Sequence, residues 1–340
     1  METVSHYPVI IIGAGQAGLA TAYYLRKQGI EPLLLDDQPG PGGAWQQYWE
    51  SLTLFSTAGF SNLPGMPMPP YDGFPPRDHV VDYFTKYEKR YEFNIRRPMH
   101  VHSVEHDGSL FTITAGPVDD SHGETEVFTA DNVVTATGIW SSPFVPSYPG
   151  TITGQFWHSA NYPGKDTFRG TKVAVVGGGN SGAQIAAELT EVADVVWLTR
   201  HEPRWMPDEI DGSDLFKRNR ERFLAVSRGE ADPGGVDNLG DIVMVPEVLK
   251  ARDSGKLKAT PMVENLDELD VNHLIWCTGF RPAWKVVRKL VDLETGTPKV
   301  DGLYLVGFSE ANGPGADTIM GVAPFAKQTA ADIAERVNAS

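Results

Sequence analysis

Two glycine-rich motifs in this chain are each followed, 23 positions after their first glycine, by a charged residue, and the two charges are opposite. The motif GAGQAG starts at Gly13 and precedes Asp36, and the motif GGGNSG starts at Gly177 and precedes Arg200. An acidic side chain at this spacing suits a ribose whose hydroxyls need acceptors, whereas an arginine suits a ribose that carries an extra phosphate. The pattern therefore predicts two different dinucleotides on one chain, an arrangement that passes a hydride from one to the other.

Each motif lies within a stretch that predicts strand, turn, helix and strand in that order. In the first copy an apolar run at 9–12 precedes the glycines, a helical stretch follows at 19–28, and a second apolar run comes at 33–35. The corresponding segments of the second copy are 173–176, 183–192 and 195–198. Free backbone N–H groups and the dipole at such a helix N-terminus favour a pyrophosphate. A plain tight turn is the alternative for either copy, but two copies with equal spacing favour nucleotide binding.

Composition narrows the class of protein. The 340 residues suffice for two domains, and 41% of them are hydrophobic. With 29 basic and 44 acidic residues the net charge is −15, which disfavours nucleic acid and anionic membranes as partners. Cys277 is the single cysteine, so no intrachain disulfide can form, and a cytoplasmic location is expected. The run at 9–12 is too short to span a bilayer, and the start of the chain does not resemble a secretory signal.

The order of the predicted elements indicates that one domain is inserted into another. The first motif is followed by a glycine-rich loop at 40–45, a proline-dense loop at 61–76, a helix at 78–91, antiparallel strands at 101–105, 110–115 and 124–129, and a buried strand at 132–138. A strand at 303–306 and a helix at 318–337 would complete this domain after the second motif. We therefore expect a discontinuous first domain, 1–150 plus 280–340, and an inserted domain, 151–279, with crossings near 138–150 and 277–284.

With these residues in place, the chain resembles the short bacterial flavin-containing monooxygenases over essentially its whole length. The resemblance rests on GAGQAG (13–18), GGAW (42–45), TATG (135–138), GGGNSG (177–182) and CTGF (277–280), and on the spacing of Gly154, His158 and Tyr162. It implies an α/β fold with two Rossmann-like dinucleotide-binding domains, a glutathione-reductase-like FAD domain with an inserted NADP domain. It also implies that NADPH reduces FAD, which activates O2 as a hydroperoxyflavin and oxygenates a small sulfide, amine or ketone.

The resemblance assigns residues to each cofactor. The implied FAD residues are Gly13, Gly15, Gln16, Gly18, Asp36, Gly43, Ala44, Trp45, Val101, Thr137, Gly138 and Thr318. Asp37 is the alternative ribose partner, and core packing is the alternative role for Trp45. Val101 is implied to touch the adenine through its backbone, and Thr318 to start a helix whose positive end faces the flavin.

The implied NADPH residues are Gly177, Gly179, Asn180, Ser181, Arg200 and His201. Arg200 favours NADPH, and NADH is usable if His201 faces the ribose instead. A lone cysteine excludes thiol–disulfide reduction, which needs a cysteine pair beside the flavin.

Phe55 stands where many relatives have an asparagine that helps to hold the oxygenated flavin, and an apolar ring cannot donate that hydrogen bond. An NADPH oxidase or quinone reductase is therefore one alternative, and a non-catalytic flavin-binding sensor is another. We expect His158 to be structural, because a lone histidine more often orders a loop than transfers a proton. We expect no metal site, since His100 and His102 lack acidic or cysteine partners. A homodimer is the default expectation.

Overall fold

The structure is a computed structural model that describes residues 4–118, 125–231 and 239–339. The strands in these ranges are β1 (Ser5–Ile12), β2 (Leu33–Leu35), β3 (Ile95–Arg96), β4 (His100–His106), β5 (Phe111–Gly116), β6 (Glu126–Thr135), β7 (Gln155–His158), β8 (Lys172–Val176), β9 (Asp194–Thr199), β10 (Ala259–Pro261), β11 (His273–Trp276), β12 (Val291–Asp292), β13 (Thr297–Pro298) and β14 (Leu303–Leu305). The α-helices are α1 (Gln16–Lys27), α2 (Arg77–Tyr91), α3 (Asn180–Leu189), α4 (Gly212–Ser227), α5 (Pro246–Asp253), α6 (Ser309–Asn312) and α7 (Ala323–Ala339). Single 3-10 turns lie at Gly43–Gln46, Ala58–Phe60, Ser159–Asn161, Lys165–Phe168, Leu266–Glu268 and Lys285–Leu290.

The first sheet has the strand order β3-β2-β1-β6-β5-β4, and β14 pairs with β6. Successive side chains of β1 point to opposite faces, so its apolar second half, 9–12, can be buried on both. Val9 and Ile11 join the core formed with α1, α2 and α7. Ile10 and Ile12 join the opposite core, which contains Trp284 from the segment after the second sheet.

The strands predicted at 124–129 and 132–138 are one strand, β6, which corrects that prediction; residue 124 lies outside the described ranges. The first half of β6 pairs antiparallel with β5, and its second half pairs parallel with β14. Asn132, a residue type common in turns, lies inside this strand. Its side chain is buried, and its amide donates to the carbonyl oxygen of Pro8 at 3.1 Å, so part of its polarity is satisfied without a turn.

The second sheet has five parallel strands in the order β10-β9-β8-β11-β7. Its faces are buried by two apolar clusters, one of which contains the inward sides of α3 and α5. The first sheet is parallel except at β4 and β5, the second is wholly parallel, and each has a glycine motif after a central strand, which confirms the predicted fold class. Helices α1 and α3 start inside their motifs, at Gln16 and Asn180, three residues before the predicted starts.

The chain passes between the sheets along two neighbouring segments. The N–H of Phe144 donates to the carbonyl of Gly279 at 2.9 Å, and the N–H of Arg281 donates to that of Ser142 at 2.8 Å. The hydroxyl of Thr278 also donates to the carbonyl of Phe144. These bonds tie the outgoing segment to the returning one, while the domain boundaries at 150/151 and 279/280 stay predictions.

Candidate dinucleotide-binding sites

In the first glycine motif, the protein's own packing demands two of the three glycines. A Cβ atom at Gly13 would lie 2.6 Å from the carbonyl oxygen of Ala136, and Gly13 has φ +99°. A Cβ at Gly18 would lie 1.9 Å from the carbonyl oxygen of Gly13. At Gly15 the nearest atom would be the Cα of Gly43, at 4.0 Å. The fold therefore requires the outer glycines but leaves space beside the middle one.

The second motif repeats this division. A Cβ at Gly177 would lie 2.2 Å from the carbonyl oxygen of Cys277, and one at Gly182 would lie 2.1 Å from that of Gly177. A Cβ at Gly179 would meet no described atom within 4 Å. In a dinucleotide motif the middle glycine lets the backbone approach a pyrophosphate, so unfilled space at Gly15 and Gly179 fits such an occupant. Neither α1 nor α3 has a side-chain cap, so their first N–H groups remain available to an anion.

Asp36 lies at the end of β2, directly beside the first motif. Its Oδ1 accepts the N–H of Ala14 at 3.2 Å, and its Oδ2 accepts from Nε of Arg97 at 2.6 Å. Burial raises the pKa of Asp36, while the Arg97 charge opposes that rise. The other two nitrogens of Arg97 bind both carboxylate oxygens of Glu88, at 2.8 and 3.1 Å. Asp37 is instead half-exposed, with its carboxylate 3.5 Å from His100.

Sequence reasoning missed Arg97. It lies 61 positions from Asp36, and no local spacing links the two residues. Arg97 lies between the predicted helix at 78–91 and the predicted strand at 101–105, and an arginine in such a connection is too common to be informative. Because an unpaired buried carboxylate is costly, the Arg97 charge offsets part of the cost of ionising Asp36 in the site.

The Gly43–Gln46 turn packs directly on the first motif. A Cβ at Gly43 would lie 2.9 Å from the Cα of Gly15, so the two loops approach backbone to backbone. Nε1 of Trp45 donates to the side-chain oxygen of Gln16 at 3.4 Å, and the amide of Gln16 donates to the carbonyl of Asp317. Ala44 lies between Gly43 and Trp45 in the same turn. These bonds bring three distant parts of the predicted FAD set together.

The prediction that Thr318 starts the last helix is wrong, because α7 begins at Ala323. Thr318 lies in a turn, where its hydroxyl donates to the carbonyl of Gly315 at 2.7 Å and accepts the N–H of Gly321 at 3.0 Å. Gly313 and Gly315 have positive φ, which no α-helix contains. The turn made by the two Thr318 bonds therefore occupies residues that the prediction gave to the start of the helix.

Val101, Thr137 and Gly138 are the remaining predicted FAD residues. Val101 is in the edge strand β4, which begins close to Asp36, since the N–H of Met99 donates to the Asp36 carbonyl at 2.7 Å. The hydroxyl of Thr137 donates to the carbonyl of Ala283 at 2.9 Å, and the carbonyl of Gly138 accepts the Ala283 N–H at 3.0 Å. Thr137 and Gly138 thus face the segment that returns from the second sheet.

A cavity of about 500 Å³ opens beyond the carboxyl ends of β8, β9 and β11. Gly177, Arg200, His201, Cys277 and Thr278 all line it, and each follows the end of one of these strands. Crevices at this position are where open parallel sheets bind ligands. Burial raises the pKa of Cys277, which makes the thiol unreactive.

The cations of this cavity differ in their pairing. Arg204 faces Asp241 at 3.5 Å, whereas Arg200 is exposed and has no ion pair or hydrogen bond to the described residues. An unpaired guanidinium at the end of β9 suits a bidentate anion such as a phosphate. Asn180 uses its side-chain oxygen to accept the N–H of Val243 at 2.8 Å, so it fixes a neighbouring loop, and Ser181 follows it in the first turn of α3.

Phe55 lies between the two halves. Its carbonyl accepts the N–H of Gly212 at 2.7 Å, and its ring packs against the core of the second sheet. A Cβ at Gly212 would lie 2.5 Å from that ring, so the start of α4 is held against Phe55.

Gly154, His158 and Tyr162 form a structural junction. A Cβ at Gly154 would lie 1.9 Å from the carbonyl oxygen of Asn272, so only glycine fits. Nδ1 of His158 accepts the N–H of Ala160 at 3.1 Å, and its ring packs edge-on to Phe280. Tyr162 is buried in the apolar cluster between the second sheet and helices α3 and α5.

Within 4–118, 125–231 and 239–339, no three His, Cys, Asp or Glu side chains are grouped so as to hold a metal ion. No helix in those ranges has the length and apolar character needed to cross a membrane.

Comparison with known proteins gives a consistent assignment. The family model "Pyridine nucleotide-disulphide oxidoreductase" matches residues 10–304. The uncharacterized oxidoreductase CzcO of Bacillus subtilis (strain 168) is 30% identical, covering 93% of this chain and 96% of that protein. The flavin-containing monooxygenase 1 of Mus musculus is 30% identical over 59% of this chain and 41% of its own length.

A solved structure is similar over nearly the whole length. The flavin-containing monooxygenase from Stenotrophomonas maltophilia superposes with a TM-score of 0.84 at 36% identity, covering 98% of this chain and 100% of that one. The chain therefore belongs to the pyridine nucleotide-disulphide oxidoreductase family and, within it, to the flavin-containing monooxygenases.

Proposed function

We propose that this oxidoreductase is an NADPH-dependent flavin monooxygenase, with FAD at the first glycine motif and NADPH at the second. The observation that carries the proposal is the matched pair of middle glycines, Gly15 and Gly179, which the fold leaves uncrowded at two uncapped helix N-termini. The opposite charges of Asp36 and Arg200 then distinguish the two occupants. The corresponding domains are 1–150 plus 280–340 for FAD and 151–279 for NADPH.

On this proposal, the FAD residues act mainly by binding and orientation. Gly15 admits the pyrophosphate at a turn whose packing Gly13 and Gly18 allow, and Asp36 accepts from the ribose hydroxyls. The turn holding Gly43, Ala44 and Trp45, fixed through Gln16, lies beside the flavin together with Thr318. Val101 contacts the adenine through its backbone, and Thr137 and Gly138 close the site where the chain leaves the first sheet. When bound, FAD supplies hydride acceptance and oxygen activation.

The NADPH residues bind and select the coenzyme. Gly177, whose own N–H bonds to the carbonyl of Leu198, forms the turn beside the pyrophosphate together with Gly179. Asn180 and Ser181 present backbone N–H groups to it at the start of α3, and Arg200 binds the 2′-phosphate. His201 lies beside Arg200 in the cavity and is the residue that would accommodate NADH. The substrate class we propose is small sulfides and amines, or ketones, oxygenated at the expense of O2 in the cytoplasm.

Phe55 favours a second function on the same scaffold, an NADPH oxidase or quinone reductase. Its ring packs in an apolar cluster and offers no hydrogen bond to an oxygenated cofactor. Measuring hydrogen peroxide and sulfoxide released per NADPH consumed separates the two functions. An amount of sulfoxide close to the amount of NADPH consumed supports the monooxygenase. An equivalent amount of hydrogen peroxide without sulfoxide supports the oxidase.

The cofactor assignment is tested by the variant Arg200→Ala. The purified protein should show a flavin absorbance spectrum that NADPH bleaches without oxygen. We expect the variant to keep its flavin but to lose about ten- to a hundredfold in kcat/KM for NADPH, the value of a charge-assisted hydrogen bond, with little change for NADH. Arg169→Ala is the matched control, because Arg169 is exposed, is paired with Asp166 and does not line the cavity. An unchanged coenzyme preference in Arg200→Ala would remove Arg200 from the site.

A further inference from the structure

A short segment of the first half is built into the core of the second. Trp49 is 6% exposed and belongs to the apolar cluster that contains Val173 and Val175 of β8. Its ring packs edge-on against Tyr162, with centroids 5.9 Å apart. This segment, residues 48–55, begins two positions after the turn that packs on the first glycine motif.

The same segment makes a polar contact with the helix of the second motif. The hydroxyl of Ser51 donates to Oε1 of Glu188 at 2.9 Å, and the hydroxyl of Tyr162 donates to Oε2 at 3.4 Å. Glu188 is half-buried near the end of α3, whose first residue is Asn180. Lys165 and Glu191 are the charged groups that act on Glu188 from neighbouring positions.

We infer that Glu188 is a positioning residue, which sets the distance between the two nucleotide sites by fixing α3 against residues 48–55. One end of α3 carries the second glycine motif, and residues 48–55 continue from the turn that contacts Gly15. A helix of ten residues is a rigid rod of about 15 Å. Glu188 therefore connects one site to the other through ordered structure.

The choice of a carboxylate at this place supports the inference. An apolar side chain would pack with Trp49 in many orientations, and a half-buried carboxylate gains little net stability. The bond from Tyr162, which lies in the same half as Glu188, instead orients the carboxylate, and the directed bond from Ser51 of the other half then specifies a single arrangement of the halves. This role depends on the proposed function, because only hydride transfer between the two cofactors makes their separation important.

The test compares Glu188→Ala, Ser51→Ala and Glu188→Gln in the FAD-bound protein. Glutamine keeps both contacts, because its oxygen accepts from Ser51 and its amide donates to the oxygen of Tyr162. We expect the two alanine variants to slow anaerobic flavin reduction at saturating NADPH about tenfold, since displacement of reacting groups by about 1 Å costs up to a hundredfold. The Kd for NADPH and the bound FAD should change less than about twofold, and Glu188→Gln should restore the rate.

A second readout is independent of turnover. Hydrogen exchange at the amides of Leu52 and Leu54, which bond to the carbonyls of Trp49 and Pro75, should accelerate in Glu188→Ala but not in the matched control Glu191→Gln. Glu191 lies beyond the same helix and is 47% exposed in its pair with Lys165.

Equal reduction rates in Glu188→Ala and Glu191→Gln, or a Kd that changes as much as the rate, would overturn the role of Glu188. Wild-type protein that binds no FAD or is not reduced by NADPH would overturn the proposed function instead. In that case, exchange at Leu52 and Leu54 still reports whether Glu188 fixes the contact.

Discussion

His158 shows how one side chain links protonation to the junction between the halves. Its Nδ1 accepts a hydrogen bond from Ala160, which only the unprotonated nitrogen can do. Its Nε2 is buried and has no hydrogen-bond partner within the described ranges. Burial lowers the pKa of His158, and the carbonyls of Gly279 and Phe144 partly oppose this. The neutral ring is therefore the form that the folded protein requires.

A pH dependence of stability follows. Because the folded-state pKa lies below the unfolded value of about 6.5, the stabilisation is complete above that pH and is lost as the pH falls through the folded value. We expect the melting temperature to fall between about pH 7 and pH 5, and His158→Asn to remove part of that slope, since asparagine caps the turn without titrating in this range. Equal slopes in wild type and His158→Asn would show that another group is responsible.

At this scale, what could be predicted depended on local spacing. Asp36 and Arg200 are found from their distance to a glycine, because strand and helix lengths in the unit fix that distance. Arg97 could not be found, since it reaches Asp36 only through the folded sheet. Ser51 and Glu188 are 137 positions apart and were invisible for the same reason.

At the scale of elements, the two strand–glycine–helix units were predictable from the sequence, whereas the bounds of other strands, such as β6, were less so. The units repeat a pattern of residue types that local geometry requires, and both formed where expected. The division of β6 was wrong because the gap predicted at 130–131 contains Asp131, a turn former by type, whereas here tertiary pairing with β1 and β14 keeps the strand continuous. Local preference yields to pairing when the strand is central.

The glycines of the second unit allow folding and binding to be separated. Gly182→Ala places a methyl 2.1 Å from a backbone oxygen, so we expect poor folding and a lower yield of soluble protein. Gly179→Ala meets nothing within 4 Å, so we expect a melting temperature close to wild type but NADPH binding weakened at least tenfold, measured by titration. If Gly179→Ala binds NADPH normally, the space beside Gly179 does not hold the pyrophosphate.

At the scale of the whole molecule, the order of the elements along the chain requires the domain with the second sheet to be inserted into the domain with the first. A strand from the C-terminal region, β14, completes the first sheet next to β6, so residues of the second sheet must leave and return through neighbouring crossings. That connectivity could be predicted from the order of motifs. The burial of Trp49 in the apolar cluster of α3 and α5 could not be predicted. A tryptophan that follows a glycine-rich loop can pack against either sheet, and the sequence does not distinguish the two.

Trp49 should therefore make the two halves unfold together. Removing its ring from a packed core costs about 3–5 kcal/mol, and here the lost contacts are those between the halves. We expect calorimetry of the FAD-bound protein to show one transition for wild type and two for Trp49→Ala, with the second sheet unfolding first. Val248→Ala is the matched control, since Val248 is fully buried in the same cluster but lies on α5, within the second half. It should lower the single transition without splitting it. A single transition in Trp49→Ala would mean that the crossings near 142–144 and 279–281, and not this ring, couple the halves.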